Sequence, residues 1–302
     1  MKIRNLLLHV ALCTGLLSVA VAQQATRLYV TTQKGQNEIQ SPAGKKPLKS
    51  GTFLMEDDVL ILSEGSYVAL LPKPGGIPKE LKKAGTYPVK EILQGVKAGA
   101  SVLNKYTEFM LSSNGDERKN RLSATGAVHR GLENIKVFLP ESPNNELLNN
   151  TLVVQGETKT PVQGAFVVKV TDILETELLT QEVTGNKLAI NLSDAKISTK
   201  YPIMVKVYSK QDARTASAGH IVNVIANKDR SNKLSGEVTE LGLSEETAIN
   251  KFVLASFFEE KGLFIDAIAA YEEAIRLEPE VDSYKEAYHD FLVRSGFKAQ
   301  KP

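Results

Sequence analysis

The spacing between apolar residues changes along this chain from two residues to about 3.6. Over residues 27–89 and again over 134–226, apolar and polar residues alternate, which predicts strands with one face on a core. Over residues 248–279 the apolar residues instead recur three and four apart, as in an α-helix. In "DAIAAYEEAIRLEP", residues 266–279, one helical face holds Ala267, Ala270, Tyr271, Ala274 and Ile275. The sequence therefore predicts a mainly β, multi-domain protein that ends in helices.

The first 22 residues have the pattern of a secretory signal peptide. Two basic residues precede an apolar run from Leu6 to Val21, and Ala20-Val21-Ala22 forms a small-x-small cleavage site before Gln23. A membrane anchor is the alternative, and a lipid anchor on Cys13 would require a small residue in place of Leu12. We expect an exported protein in the periplasm, with the cell surface or the medium as alternatives.

Removal of these residues leaves a formally neutral chain without cysteine. It removes two of the 37 Lys and Arg residues and none of the 35 Asp and Glu residues. A neutral chain has no field that attracts phosphate backbones, so nucleic acid is not an expected partner. The lack of cysteine excludes disulfides and thiolate metal sites, and no cofactor is expected. No later stretch approaches the roughly 18 apolar residues of a membrane span, so we expect no transmembrane segment in the mature chain.

The first predicted unit, residues 23–112, combines a small twisted β domain with one helix. Its strongest strand pattern is "TFLMEDDVLILSEGSYVALL", in which residues 63–66 supply a turn between two antiparallel strands. After Pro88 the period becomes helical, which predicts one amphipathic helix over 89–112 packed on the sheet. The apolar face of this helix holds Ile92, Val96, Leu103, Tyr106 and Met110.

The stretch "GKKPLKSGTFLMEDDVLILSEGSYVALLPKPGG" resembles the FecR-like periplasmic domain in the rhythm of its strand-turn-strand unit. The resemblance implies action through protein contact or through binding of cell-wall sugars, and it names no reaction. The loop "PKPGGIPKELKKAG", residues 72–85, is a candidate contact for an anionic wall polymer or an acidic partner. A solvated hairpin end is the alternative. The basic residues of this candidate contact are Lys73, Lys79, Lys82 and Lys83.

After a polar linker over 113–133, residues 134–226 have the pattern of a β-sandwich. Seven short alternating segments are separated by turn signals, and this count and spacing resemble an immunoglobulin-like sandwich. The cysteine pair and the core tryptophan of antibody domains are absent, so the resemblance is one of architecture. The segments are "NIKVFLP", "TLVVQGE", "GAFVVKVTDI", "ELLTQEV", "KLAINL", "YPIMVKVYS" and "GHIVNVIA".

A second, charged linker is predicted over 227–246, with a helix start at its end. Ser244 offers a capping hydroxyl, and Glu245 and Glu246 place negative charge at the positive end of the next helix.

Residues 247–298 resemble a tetratricopeptide repeat, a helix-turn-helix motif, followed by a capping helix. Lys251 stands where that motif has a large aromatic residue, so the first turn departs from the pattern. Ala255 and Ala267 allow two helices to approach each other. Gly262 permits the turn between them, and Pro279 ends the second helix. The matching positions are Leu254, Ala255, Phe258, Gly262, Ala267, Tyr271, Ala274 and Pro279.

A single repeat cannot bury its own apolar face, because such units gain stability by stacking. One further helix, "SYKEAYHDFLVRSGF", is expected to cover its open end through Tyr284, Ala287, Tyr288, Phe291 and Leu292. The remaining apolar surface should dock on the sandwich, on another copy or on a partner. Candidate residues for partner contact or helical packing are Leu254, Phe258, Tyr271, Tyr288 and Phe291.

The residues that carry chemistry do not form a recognisable catalytic or metal-binding pattern. His129, His220 and His289 are widely separated, and no G-x-S-x-G motif is present. The adjacent carboxylates of residues 56–58 fit a solvated turn better than a pair for sugar hydrolysis. The acidic stretch "NGDE", residues 114–117, lacks the alternating ligands of a calcium loop. We therefore expect no enzyme.

The predicted function is that of an exported, non-catalytic binding or scaffold protein of the bacterial cell envelope, with envelope proteins as partners. A module that binds glycan or cell wall is the main alternative. Tyr29, Tyr67 and Tyr87 would supply its sugar-stacking faces in a chain without tryptophan. A hydrolase with an unfamiliar site is the least favoured alternative.

Overall fold

The computed structural model describes residues 27–97, 101–113, 134–140, 145–158 and 164–299. The predicted signal peptide, most of the first predicted linker, "NGDE" and His129 lie outside these ranges. The described residues form 16 strands and six helices in a β-rich, multi-domain arrangement with helices at its C-terminal end.

The first β unit consists of two four-stranded antiparallel sheets. One sheet has the strand order β4-β1-β6-β7, and the other has the order β3-β2-β5-β8. The strands are β1 (Arg27–Lys34), β2 (Glu38–Ser41), β3 (Gly44–Pro47), β4 (Phe53–Leu54), β5 (Val59–Leu62), β6 (Tyr67–Lys73), β7 (Lys79–Leu81) and β8 (Gly85–Pro88).

The two sheets pack face to face because alternate residues of their strands are apolar and buried. Strand β6 is buried on both faces. Val68 and Leu70 face the core between the sheets, whereas Tyr67, Ala69 and Leu71 pack in a different core, against helices from the C-terminal end. The core between the sheets consists of Leu28, Val30, Ile39, Leu48, Leu54, Leu60, Leu62, Val68, Leu70 and Val89.

The predicted turn at residues 63–66 is present, but it does not join two strands of a hairpin. The N–H of Ser66 donates to the carbonyl of Ser63 at 3.3 Å. Strand β5 then pairs with β2 and β8, whereas β6 pairs with β1 and β7. The chain therefore crosses from one sheet to the other here, because alternation within a segment does not determine which strand it pairs with.

The single helix predicted over 89–112 is wrong, since two helices stand in its place: α1 (Val89–Gln94) and α2 (Ser101–Ser113). Helix α1 ends at Gly95, whose N–H donates to the carbonyls of Glu91 and Ile92. Glycine disfavours a helix interior because of its backbone entropy. The predicted apolar face is consequently divided, with Ile92 and Val96 against the first β unit and Leu103, Tyr106 and Met110 against the C-terminal helices.

The second β unit contains a strand at each of the seven predicted segments, and a short eighth strand. Its two sheets have the strand orders β10-β16-β15-β12-β13 and β14-β11-β9. All pairs are antiparallel except β10 with β16. The strands are β9 (Ile135–Val137), β10 (Glu146–Leu147), β11 (Thr151–Thr158), β12 (Phe166–Asp172), β13 (Glu177–Val183), β14 (Lys187–Asn191), β15 (Ile203–Ser209) and β16 (His220–Val224).

The helical unit consists of α3 (Lys228–Glu240), α4 (Ala248–Glu260), α5 (Phe264–Leu277) and α6 (Asp282–Arg294). Helix α3 corrects the prediction of a linker over 227–246. The side chain of Asn227 accepts from the N–H of Arg230 and caps this helix. Leu234, Val238 and Leu241 recur along one side of α3 and its end, and they pack against the other helices.

The capping residue of α4 lies three residues beyond the predicted one. Thr247, not Ser244, accepts from the backbone N–H of Asn250 through its side chain. Glu245 still contributes, because its carbonyl accepts from the side-chain amide of Asn250 at 3.0 Å.

Candidate functional site

The helical unit lies between the two β units and shares one apolar core with both. This central core contains Tyr67 and Leu71 from β6, Val153 from β11, and most of the apolar residues of α4, α5 and α6. Aromatic rings link the helices in edge-on contacts, such as Tyr106 with Phe257 at 4.8 Å and Phe252 with Tyr284 at 5.4 Å between ring centres. The three parts of the chain are therefore packed together through apolar contacts.

A buried carboxylate fixes the helical unit to the first β unit. Glu80 on β7 accepts from the hydroxyl of Tyr67 at 2.6 Å and from the backbone N–H of Ile249, in the first turn of α4, at 2.9 Å. Its other oxygen lies 3.0 Å from the ammonium of Lys82. A carboxylate at a helix N-terminus satisfies an N–H that has no partner within the helix, and it also interacts favourably with the helix dipole.

A second buried carboxylate fixes the helical unit to the second β unit. Asp266 in the first turn of α5 accepts from the backbone N–H groups of Leu148 and Asn149 at 2.7 and 2.8 Å. Burial raises the pKa of Asp266 to about 6, although these two donors favour the ionised form. The side chains of Tyr288 and Gln155 add a hydrogen bond of 2.6 Å, and Lys187 forms an ion pair with Glu272.

Four of the five predicted contact residues are buried inside the molecule. Phe258, Tyr271, Tyr288 and Phe291 have exposed fractions between 0% and 5%. They pack within the central core, so the chain itself covers most of the apolar surface of its helices. Leu254 is partly buried and lines a surface groove.

The predicted basic loop includes strand β7, and two of its four lysines form ion pairs within the chain. Lys73 pairs with Glu108 on α2. Lys82 pairs with Glu80 and with Glu278, which lies just beyond the end of α5. Lys79 is half-buried and Lys83 is exposed. These four residues therefore do not form a single exposed basic patch.

The groove lies between the helical unit and the outer face of the three-stranded sheet. Its volume is about 720 Å³, within the range of roughly 300–1,000 Å³ that is usual for ligand sites. Its apolar lining comes from Val153, Ala189, Val238, Leu254, Phe258, Ala269 and Ala270. Its charged lining comes from Lys187, Lys251, Asp266, Glu272, Glu273 and Arg276.

The charges of the groove are balanced and paired within the protein. Lys251 forms an ion pair with Glu246 at 2.7 Å, and Arg276 forms one with Glu273 at 2.6 Å. The groove therefore has an apolar lining and a polar rim without an excess of either charge.

The described residues contain no group of three or more His, Cys, Asp or Glu side chains placed to hold a metal ion. Asp58, one of the three adjacent carboxylates, accepts from the backbone N–H of Met55 at 2.8 Å and so closes a turn. Among the residues that the structure describes, no helix has the length and apolar character needed to cross a bilayer.

Neither a protein-family model, nor a curated protein sequence, nor a solved structure matches this chain.

Proposed function

We propose that this protein is an exported, non-catalytic scaffold of the bacterial cell envelope that binds other envelope proteins. The observation that carries the proposal is the groove, which α4, α5 and the three-stranded sheet form together. Buried hydrogen bonds at Glu80 and Asp266 hold the helices against both β units. A preformed site between rigidly packed parts loses little conformational entropy when a partner binds.

We also propose that residues 134–226 are an immunoglobulin-like sandwich and that residues 248–297 are a tetratricopeptide-like unit. The strand order of the second β unit supports the first assignment, because such sandwiches consist of two packed sheets whose strand pairs are mainly antiparallel. The antiparallel helices α4 and α5, joined by a short turn at Gly262, support the second.

A glycan-binding function receives less support from the structure. Tyr67 is buried, with an exposed fraction of 2%, and its hydroxyl is hydrogen-bonded to Glu80. It therefore offers no face to a sugar ring. Tyr29 contacts the half-exposed Phe53 at 5.0 Å between ring centres, which leaves a small aromatic surface at the edge strand β4.

In-cell photo-crosslinking tests the proposal directly. A photoreactive amino acid in place of Leu254, in the groove, should crosslink to a defined envelope protein. The same photoreactive amino acid in place of Lys45, on the exposed strand β3, should not. Purified protein should also fail to sediment with isolated cell wall. Sedimentation with cell wall, together with no crosslink specific to the groove, would favour the glycan-binding alternative.

A further inference from the structure

We propose that the outer edge of strand β14 binds an extended segment of the partner protein, which adds a fourth strand to the three-stranded sheet. This inference rests on the proposed binding function and assigns the place and the form of the bound segment. Extended peptides bind in this way because the main chain supplies the hydrogen bonds, while alternate side chains enter pockets.

Strand β14 is an edge strand whose outer side has no partner strand among the described residues. It pairs with β11 in a regular register without a bulge, from Gln155 opposite Lys187 to Thr151 opposite Asn191. It contains no proline, and its one charged residue, Lys187, pairs with Glu272 on α5. Natural edge strands often carry lysines, prolines or bulges that prevent pairing. Strand β14 has neither proline nor bulge, and its one lysine is held in the ion pair with Glu272.

The hydrogen-bond pattern identifies which main-chain groups of β14 face outward. The N–H of Leu192 donates to the carbonyl of Asn150, and the N–H of Gly156 donates to the carbonyl of Asn186. Hydrogen-bonded and non-hydrogen-bonded pairs alternate along an antiparallel ladder. The N–H and C=O groups directed away from β11 are therefore those of Lys187, Ala189 and Asn191, and all three residues are exposed.

The core side of this position is incompletely covered. The five-stranded sheet of the second β unit faces a sheet of only three strands, and β13 is one of its two edge strands. Val183 of β13 and Leu188 of β14 line the same cavity. Gln181 on β13 lies opposite the buried Val168, on the side of the sheet that faces the core, yet it is exposed. Its neighbours on that side, Leu179 and Val183, are only partly buried. A strand beside β14 would cover this surface with every second side chain.

The other side of the same position opens into the groove. Lys187 and Ala189 project from the outer face of β14 and line the groove together with Leu254 and Arg276 of the helices. The alternate side chains of an added strand would therefore enter the groove. One segment in an extended conformation thus satisfies the edge, the incompletely covered core and the groove at once.

The charges of the groove select the chemistry of the segment. Its lysines and arginine pair with carboxylates of the chain itself, so it has no excess positive charge for an anionic wall polymer. A protein segment with apolar residues at every second position fits the partly buried Leu179, Val183 and Leu188.

A library of displayed ten-residue peptides, selected on the full chain, provides the probe. We expect the selected peptides to share apolar residues with a period of two. Amide hydrogen exchange measured by NMR should show slow exchange at Leu188 and Ile190 with or without peptide. Exchange at Lys187, Ala189 and Asn191 should slow only when peptide is bound.

Two variants test whether the edge itself binds the peptide. Ala189→Pro removes an outward N–H without removing a bond to β11, and Gln181→Lys places a charge on the incompletely covered side. Each variant should weaken peptide binding at least about tenfold. Ala189→Pro removes a hydrogen bond to the peptide, and Gln181→Lys places a charge against its apolar side chains. Lys45→Pro is the matched control, because its N–H also points outward from an exposed edge strand, β3, in the other β unit. It should leave binding unchanged. If Ala189→Pro does not fold, Gln181→Lys decides the test.

Three results would overturn the inference. One is peptide binding that both variants leave intact, and another is peptide binding that protects only amides of the helices. The third is protection of the Ala189 amide that grows with protein concentration in the absence of peptide, because this would assign the edge to a second copy of the chain. A crosslink from Leu254 to an envelope protein, combined with any of these results, would retain the proposed function and reject the added strand.

Discussion

The hydroxyl groups of Tyr67 and Tyr284 lie 2.6 Å apart, although 217 positions separate the two residues in the chain. Tyr67 donates its proton to Glu80, so Tyr284 is the donor in the bond between the tyrosines. Both rings are buried, with exposed fractions of 2% and 1%. This chain of hydrogen bonds joins strand β6 of the first β unit to helix α6 near the C-terminus.

Removal of these hydroxyls should destabilise the protein in a defined order. Tyr67→Phe removes one of the two hydrogen bonds to Glu80 and leaves the buried hydroxyl of Tyr284 without its acceptor, so it should cost about 2–3 kcal/mol. Tyr284→Phe removes one donor and should cost about 1 kcal/mol. Tyr87→Phe is the control, since its hydroxyl bonds a carbonyl at the surface, and it should cost less than about 0.5 kcal/mol. Urea unfolding of the three variants measures these differences. Equal effects of all three would contradict the role of the buried pair.

Truncation of the aromatic residues of the helical unit should be strongly destabilising. Phe258→Ala and Tyr271→Ala should each lower the free energy of unfolding by about 3–5 kcal/mol, because they leave cavities in the central core. Phe53→Ala removes an aromatic ring that is half-exposed and should cost about 1 kcal/mol or less. Thermal and urea unfolding distinguish the two classes, and unchanged melting of the core variants would contradict the placement of these residues.

The buried Asp266 should make stability depend on pH. Its pKa is raised to about 6 in the folded protein, so the folded state holds the proton more tightly than the unfolded state. The stabilisation is complete below the ordinary pKa of aspartate and decreases as pH rises to about 6, by about 3 kcal/mol in total. Above that pH no further change arises from this group.

Asp266→Asn should remove this part of the pH profile, because the amide does not ionise. The variant should also be less stable at low pH, since an amide accepts from only one of the two N–H groups and places a donor against the other. Urea unfolding between pH 4 and pH 7.5 measures both effects, with the exposed Asp229→Asn as the control. A wild-type slope that persists in Asp266→Asn would assign the pH dependence to other groups.

Two glycines should respond to substitution with opposite signs. A Cβ at Gly156 would lie 2.5 Å from the carbonyl oxygen of Lys136 on β9, so Gly156→Ala should be destabilising, by about 1–3 kcal/mol. Gly236 lies inside α3 with no atom within 4 Å of such a Cβ, and Gly236→Ala should stabilise by about 0.5–1 kcal/mol. Thermal unfolding measures both changes, and a loss of stability in Gly236→Ala would contradict the open surroundings of that position.

Much of the secondary structure follows from local patterns in the sequence. All seven alternating segments between residues 134 and 226 are strands, because each had the period of a half-buried strand and a turn signal at its ends. Helix α3 was missed because the charged residues around it conceal three apolar positions, Leu234, Val238 and Leu241. The spacing of these three is that of a helix face, and Asn227 before them is a capping residue, so the signal was present.

The pairing of distant parts was not predictable from the same patterns. The alternation of β6 predicted a strand but not the burial of both its faces. One face packs against the sheet that contains β5, and the other packs against helices some 200 residues later in the chain. Glu80 and Asp266 gave no sign of their roles. Each carboxylate binds backbone N–H groups of a remote segment, and such donors are present at every non-proline residue and so carry no sequence signature.

The double burial of β6 makes the first β unit dependent on helices that follow it by some 200 residues. The first β unit is synthesised long before its partner helices, so the face that holds Tyr67, Ala69 and Leu71 is incompletely covered until α4, α5 and α6 have been made. A nascent chain at that stage carries an apolar sheet face, the type of surface on which aggregation starts. A chain that is truncated before α6 should therefore be prone to aggregation and should not form a smaller stable protein.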